Sequence, residues 1–174
     1  MSYRLKHRQL QRDLFMKLSW AERVERIHQI GYFYEALTAQ VLSGERNHNE
    51  NRSDLPSSLI GDVFVPEASA CVEVKACSDT HSFRIFIDQL ERYRRNLGFP
   101  YDRCWYALWR YHSPDGNAVL RNAQSFEALA DYLSKNTQSL WLVDLPVMEQ
   151  LRDFFGNQRI DAQRRVYSRV SFGN

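Results

Sequence analysis

The sequence predicts a mixed α/β fold, with a central β-sheet flanked by helices. Three observations predict it. Long segments with helical apolar spacing alternate with short runs rich in Val, Ile and Phe. Capping residues and glycines bracket the long segments. Polar, turn-rich stretches separate the short ones. The chain of 174 residues suits one domain with a proper core.

The elements follow in order. Ser19 with Glu22 reads as a capping box, opening a helix from Trp20 to about Leu42 that Gly44 stops. Residues 44–57 are polar and predict an exposed loop. Strands are expected at about 58–65 and 70–77. A helix over about 80–97 ends at Gly98-Phe99-Pro100. An aromatic strand covers 103–112, and "SPDG" turns it back toward a short strand at 118–121. Ser125 opens a helix to about Lys135, and "SLWLVDLP" (139–146) is another strand. "VMEQLRDFFG" is a short helix closed by Gly156, and the tail "RRVYSRVSF" alternates in strand fashion. The whole chain, 1–174, reads as a single domain, with a core over about 20–112 and a C-terminal α/β extension over about 113–174.

Composition excludes several classes. No apolar run approaches the roughly 20 residues that span a bilayer, so no membrane partner is expected. The basic N-terminus lacks the apolar stretch of a secretory signal. Cys71, Cys77 and Cys104 cannot make a full disulfide framework, and no Cys-x-x-Cys exists to hold zinc or an iron–sulfur cluster. A reduced, cytoplasmic protein is expected. A net charge of +2 says little about partners. Only four of the 23 basic residues are lysine, so a lysine inside a strand carries information. The abundant arginines suit phosphate oxygens, although a GC-rich genome explains them equally well.

One such lysine lies in "GDVFVPEASACVEVKAC", Gly61 to Cys77. Side chains two apart on a strand share a face. Glu73 and Lys75 therefore point one way, and Val72, Val74 and Ala76 the other. Asp62 sits beside Glu73 if the two strands pair as a hairpin. Two carboxylates suit Mg²⁺, which keeps waters and phosphate oxygens in its shell, and the Val74 carbonyl can add a ligand. A lysine beside such a metal can orient or deprotonate a water. The alternative is a surface Glu–Lys pair, since an acid two residues before a lysine arises by chance about half a time at this composition.

The flanking helices add candidates. Gly31 and Glu35 are four apart and share a helix face. Glu35 is either a third acidic group at the Asp62–Glu73 site or a rim residue, solvated or paired with an arginine. In "DQLERY", Gln89 and Tyr93 are also four apart, with Arg92, Arg94 and Arg95 around them. Both can donate to phosphate oxygens, and a tyrosine can stack on a base. An ordinary amphipathic helix, with Phe83, Phe86, Ile87, Leu90 and Leu97 inward, accounts for the rest. "RNHNEN" (46–51) hints at an HNH nuclease but lacks the second histidine at helical spacing. The five histidines show no metal-binding pattern on one helix.

Taken together, these residues resemble the PD-(D/E)XK nuclease superfamily. Glu35 on a helix, Asp62 in "GDVFV", Glu73-Val74-Lys75 in "VEVKA", a helix and the strand "CWYALW" follow the order of that family's core. "QLERY" is similar to the Gln-to-Tyr signature of the RecB-like branch. Gly31 to Glu35 is similar to the Gly-x-x-x-Glu of archaeal Holliday-junction resolvases. Gly61 replaces the motif's proline, and the cysteines of iron–sulfur members have no counterpart. The resemblance covers about residues 24 to 111. It implies a restriction-endonuclease-like core and a Mg²⁺- or Mn²⁺-dependent deoxyribonuclease. It implies Asp62, Glu73, the Val74 carbonyl and Glu35 as the metal set, and Lys75 as the residue that positions and activates water. Gln89 and Tyr93 would orient the substrate phosphate or hold the helix against the site. DNA is the implied partner, and cutting both strands would favour a symmetric homodimer. The alternative is a catalytically silent nuclease-like domain that binds DNA or a protein.

Overall fold

Tyr34 shows how the layers of the molecule are joined. In a computed structural model, which describes residues 20–47, 61–81, 83–113, 125–155 and 170–172, it lies on helix α1 (Trp20–Val41). Ile30, Tyr34 and Thr38 recur at i,i+4 spacing and are buried, as one inward helix face requires. The Tyr34 ring stacks on Tyr111 at 5.7 Å and meets Trp109 at 5.5 Å. Thr38 Oγ1 accepts the Trp109 indole N–H at 2.7 Å and donates to the Tyr34 carbonyl at 2.6 Å.

Tyr111 and Trp109 belong to β5 (Cys104–Tyr111), in a five-stranded sheet. Its order is β1 (Glu45–Arg46), β2 (Val63–Val65), β3 (Ala70–Ser78), β5, β6 (Thr137–Asp144). Strands β3 and β5 run parallel, with Glu73 opposite Tyr106, and the other pairs are antiparallel. The molecule is thus α/β with a mixed, open central sheet. One side carries α1 and α3 (Phe126–Asn136), which pack on Trp109 and Tyr111 with Leu129 and Leu133 of α3 turned inward. The other carries α2 (Ile87–Leu97) and α4 (Leu145–Phe155), packed on Cys71, Cys77, Tyr106 and Leu108. Strand β3 alternates between them: Val72, Val74 and Ala76 join the α1 side, Cys71 and Cys77 the α2 side. The three cysteines are free and buried. Among the described residues, no helix is long and apolar enough to cross a membrane.

Several boundaries differ from the sequence expectation. The helix expected over 80–97 starts at Ile87, because Phe83–Ile85 forms strand β4, paired in parallel with β7 (Val170–Phe172) of the tail. Phe83 and Ile85 are buried with Arg84 exposed between them, so period two prevails locally over the helical spacing that Phe83, Phe86 and Ile87 also satisfy. Phe86 is partly buried at the N-cap, and only Ile87, Leu90 and Tyr93 are buried within the helix. Gly98 ends α2 in the left-handed region at φ 72°, where a glycine carries no Cβ penalty. The expected loop 44–57 contains β1, and the expected strand 58–65 is described from Val63 on, with Asp62 just ahead of it. Strand β6 begins at Thr137 and ends at Asp144, not 146, because Asp144 Oδ1 accepts the Val147 N–H and starts α4 with Pro146 in its first turn. Ser19, the strand at 118–121, Gly156 and residues 48–51 of "RNHNEN" lie outside the described residues.

The Thr38–Trp109 bond makes a direct test. In Thr38→Val the Trp109 N–H stays buried and loses its acceptor, which costs about 1–3 kcal/mol. Urea unfolding followed by tryptophan fluorescence should show a lower midpoint with an unchanged slope.

Candidate active site

Strand β2 pairs with β3 only from Val63↔Val72 to Val65↔Ala70. Beyond Val72 the edge of β3 has no β2 partner, and the Val74 N–H would be left there without an acceptor. The Asp62 carboxylate fills the place, accepting the Val74 N–H at 2.7 Å. In an extended strand a residue's N–H and C=O project to the same side, so the Val74 carbonyl shares this edge. Gly61 makes the approach possible: a Cβ there would stand 3.1 Å from the Val72 oxygen. Asn47 holds the segment from the other flank, its N–H donating to the Asp62 carbonyl at 3.0 Å and its side chain to the Gly61 carbonyl at 2.6 Å.

Glu73 is buried, at 3% exposure, and a buried carboxylate is costly unless its oxygens are satisfied. Three donors satisfy it. Lys75 Nζ lies 2.5 Å and Gln89 Nε2 2.7 Å from Oε1, and the Tyr93 hydroxyl donates to Oε2 at 3.0 Å. Gln89 Nε2 also donates to the Tyr93 oxygen at 2.9 Å. Burial, and then the charge of Glu73, push the Tyr93 phenol well above its ordinary range, so it remains a donor. In the same way burial keeps Tyr106 protonated, and its hydroxyl donates to the Phe86 carbonyl at 2.5 Å, fixing the start of α2.

Burial raises the Asp62 carboxyl well above the usual carboxylate value. The charge of Glu73 adds to the rise, the Val74 N–H opposes it, Glu35 raises it further, and Lys75 opposes it. Glu73, Glu35 and Lys75 therefore all act on Asp62. Glu35 itself pairs with Arg46, whose Nη2 is 3.0 Å from Oε2. Ile27, on the same helix, is half-exposed, and Thr38 is committed to Trp109.

The sequence candidates thus fall into two groups. Asp62 accepts the Val74 N–H at the open edge of β3, and Glu73, Lys75 and Glu35 act on its carboxyl. Gln89 and Tyr93 direct their donors to Glu73. Tyr93, at 2% exposure, has no ring face open for a base to stack on. Arg46 and Asn47 begin the "RNHNEN" run, which the sequence marked for its HNH-like pattern and as a loop that could touch substrate, but nothing in that pattern shows that β1 pairs beside Asp62. Trp109 is buried in the core, and His81 and His112 are exposed, bonded to Ser78 and Asp79. Among the described residues, no three of His, Cys, Asp and Glu form a group that could hold a metal ion by themselves. Mg²⁺ needs only one or two carboxylates, completing its shell with water and phosphate oxygens.

The raised Asp62 carboxyl has a stability consequence. The native state keeps a proton that the unfolded chain has already released. Its contribution is therefore most favourable below the ordinary carboxylate range and is lost as pH rises through the raised value. Asp62→Asn keeps an acceptor for the Val74 N–H and removes the charge. Thermal melts should show the variant gaining at about pH 8, by about 2–4 °C for each kcal/mol relieved, and gaining little near pH 4. Equal gains at both pH values would contradict this account.

Compared with protein-family models, curated proteins and solved structures, the chain matches none of them.

Proposed function

We propose that the chain is a metal-dependent nuclease that hydrolyses DNA phosphodiester bonds. The observation that supports this reading is that Asp62 accepts the Val74 N–H at the open edge of β3 while Glu73, paired with Lys75, and Glu35 both act on its carboxyl. The donor set suits a hard divalent cation. Asp62, Glu73 and Glu35 are matched by Lys75 and Arg46, one positive charge short. Burial first, and then the charges of Glu73 and Glu35, raise the Asp62 carboxyl. Asp62, Glu73 and the Val74 carbonyl would hold Mg²⁺ or Mn²⁺, with Glu35 joining directly or through water. Such an ion, when bound, polarises the phosphoryl oxygen and lowers the pKa of a water.

The chain's own residues do the rest. Lys75 brings an ammonium to the carboxylate edge, where it can orient a water or offset charge on the pentacoordinate phosphorus. Gln89 and Tyr93 hold the Glu73 carboxylate in one orientation, so that no reorganisation is needed when the phosphate arrives. Hydrolysis then joins the water oxygen to phosphorus and releases the leaving oxygen with a proton. Cutting both strands of a duplex would call for a symmetric pair of chains.

A second reading also has an observation behind it. Glu73 and Glu35 are already bonded to internal donors, an arrangement equally suited to a silent domain that binds DNA or a protein. Incubation with plasmid and single-stranded DNA plus Mg²⁺ or Mn²⁺, with EDTA as control, separates the two. The nuclease reading expects metal-dependent cleavage that Lys75→Ala lowers by at least about 100-fold, with DNA binding largely spared. Cleavage unchanged in that variant would overturn the mechanism, and no cleavage by the intact protein would favour the silent domain.

A further inference from the structure

Arg46 opens the "RNHNEN" run and is a basic residue paired with Glu35. It sits on the short edge strand β1, opposite Val63, and the next residue, Asn47, donates to the Asp62 carbonyl. Its Nη2 holds Glu35 at 3.0 Å, in a pair whose side chains are 24% and 22% exposed. Its guanidinium lies 5.7 Å from the centre of the Tyr32 ring, and Tyr32 is half-exposed. Its Nε is, among the described residues, the one buried side-chain nitrogen or oxygen with no hydrogen-bond partner. Buried donors are nearly always satisfied, so an orphan beside a charged site points to a missing acceptor. Beside Glu35 the surface is unfilled: a Cβ on Gly31 would meet only Glu35 Oε1, at 4.0 Å.

We propose that Arg46 binds a phosphodiester of the substrate and, when no substrate is present, masks Glu35, so that nucleic acid and divalent cation bind cooperatively. The proposal rests on the nuclease reading above. A guanidinium is a planar fork that matches phosphate oxygens two at a time. Glu35 engages one arm of that fork and leaves Nε idle. A phosphate can engage both, and drawing Arg46 toward it uncovers Glu35. Charge favours the exchange in two steps. A divalent cation converts the site's one-charge deficit into a one-charge excess, and the single negative charge of a phosphodiester restores balance. Each ligand therefore improves the site for the other, by the same factor in either direction.

Two measurements test this. In EDTA, anisotropy of a labelled DNA duplex should show Arg46→Ala binding about tenfold weaker than wild type and Glu35→Gln about threefold tighter. Glu45→Gln, an exposed acid on the same strand, serves as the charge control and should match wild type. In calorimetry with Mn²⁺, the wild type should bind about tenfold tighter when a phosphorothioate duplex is present. Arg46→Ala should bind Mn²⁺ alone more tightly than wild type and gain nothing from the duplex. If Arg46→Ala does not fold, Glu35→Gln carries the test through the first measurement. Mn²⁺ binding that Asp62→Ala abolishes but Arg46→Ala leaves unchanged, with its duplex dependence intact, overturns this proposal alone. No Mn²⁺ heat from wild type in either condition overturns the metal site and this proposal with it.

Discussion

A carboxylate buried in the middle of a central strand is the constraint around which this structure is arranged. Glu73 belongs to the longest strand of the sheet and is almost wholly enclosed. Removing one partner of a buried ion pair typically costs about 3–5 kcal/mol, so its three donors must arrive together and stay in place. Lys75 comes from the same strand by simple alternation. Gln89 and Tyr93 come from α2, one turn apart, and this fixes both the rotation of α2 and its height over the sheet. The Tyr106–Phe86 bond and strand β4 then determine where α2 can begin. The polar triad thus specifies the packing of that layer more narrowly than its apolar contacts do.

The opposite layer is tied down by a different device. Tyr34, Thr38 and Trp109 lock α1 to β5 through stacked rings and a buried hydrogen bond. Glu35 follows Tyr34 directly, so seating Tyr34 against the sheet turns Glu35 toward β1 and Asp62. The two layers share no side chain at the site: α1 contributes Glu35, α2 contributes Gln89 and Tyr93, and the sheet itself carries Glu73, with Asp62 at the stretch of β3 that β2 leaves unpaired. A sheet edge is ordinarily a liability, open to any chain that can pair with it. Here Asp62 closes that edge, and the closure concentrates negative charge instead of apolar surface.

Much of this could be read from the sequence, because local periods express it. Helix α1 ends one residue from its expected limit, and the alternation of Val72 to Ala76 places Glu73 and Lys75 on one face. The spacing of Gln89 and Tyr93 marks them as a pair, but not that Glu73 is their target, since that contact spans 16 residues. Strand β4 was hidden because Phe83, Ile85, Phe86 and Ile87 satisfy two periods at once, and only pairing with a tail far along the chain decides between them. A two-residue strand such as β1 has no period at all, so the "RNHNEN" run was read for its HNH-like pattern and not for the pairing that brings Arg46 to Glu35. The end of β6 was legible in principle, from an aspartate two residues before a proline. It was missed because the apolar run continues through Leu145.

The electrostatics of the edge explain why a fold would tolerate such a group. Asp62 is held where its ionised form is disfavoured by burial and by two other carboxylates. A group of this kind lowers stability at neutral pH, and it persists only if the surrounding structure enforces it. Gly61 and Asn47 hold its backbone in place, and the Val74 N–H partly offsets the cost at the carboxylate. Lys75 and Arg46 relieve it in part, one at Glu73 and one at Glu35. They are not equivalent. Lys75 is bound to a carboxylate that also has two neutral donors, so Glu73 keeps two hydrogen bonds, though not its counter-charge, when Lys75 turns away. Glu35 pairs with Arg46, so freeing Arg46 leaves a carboxylate charge that bears on Asp62. The strain therefore resides at Asp62, and the Arg46–Glu35 pair sets how much Glu35 adds to it.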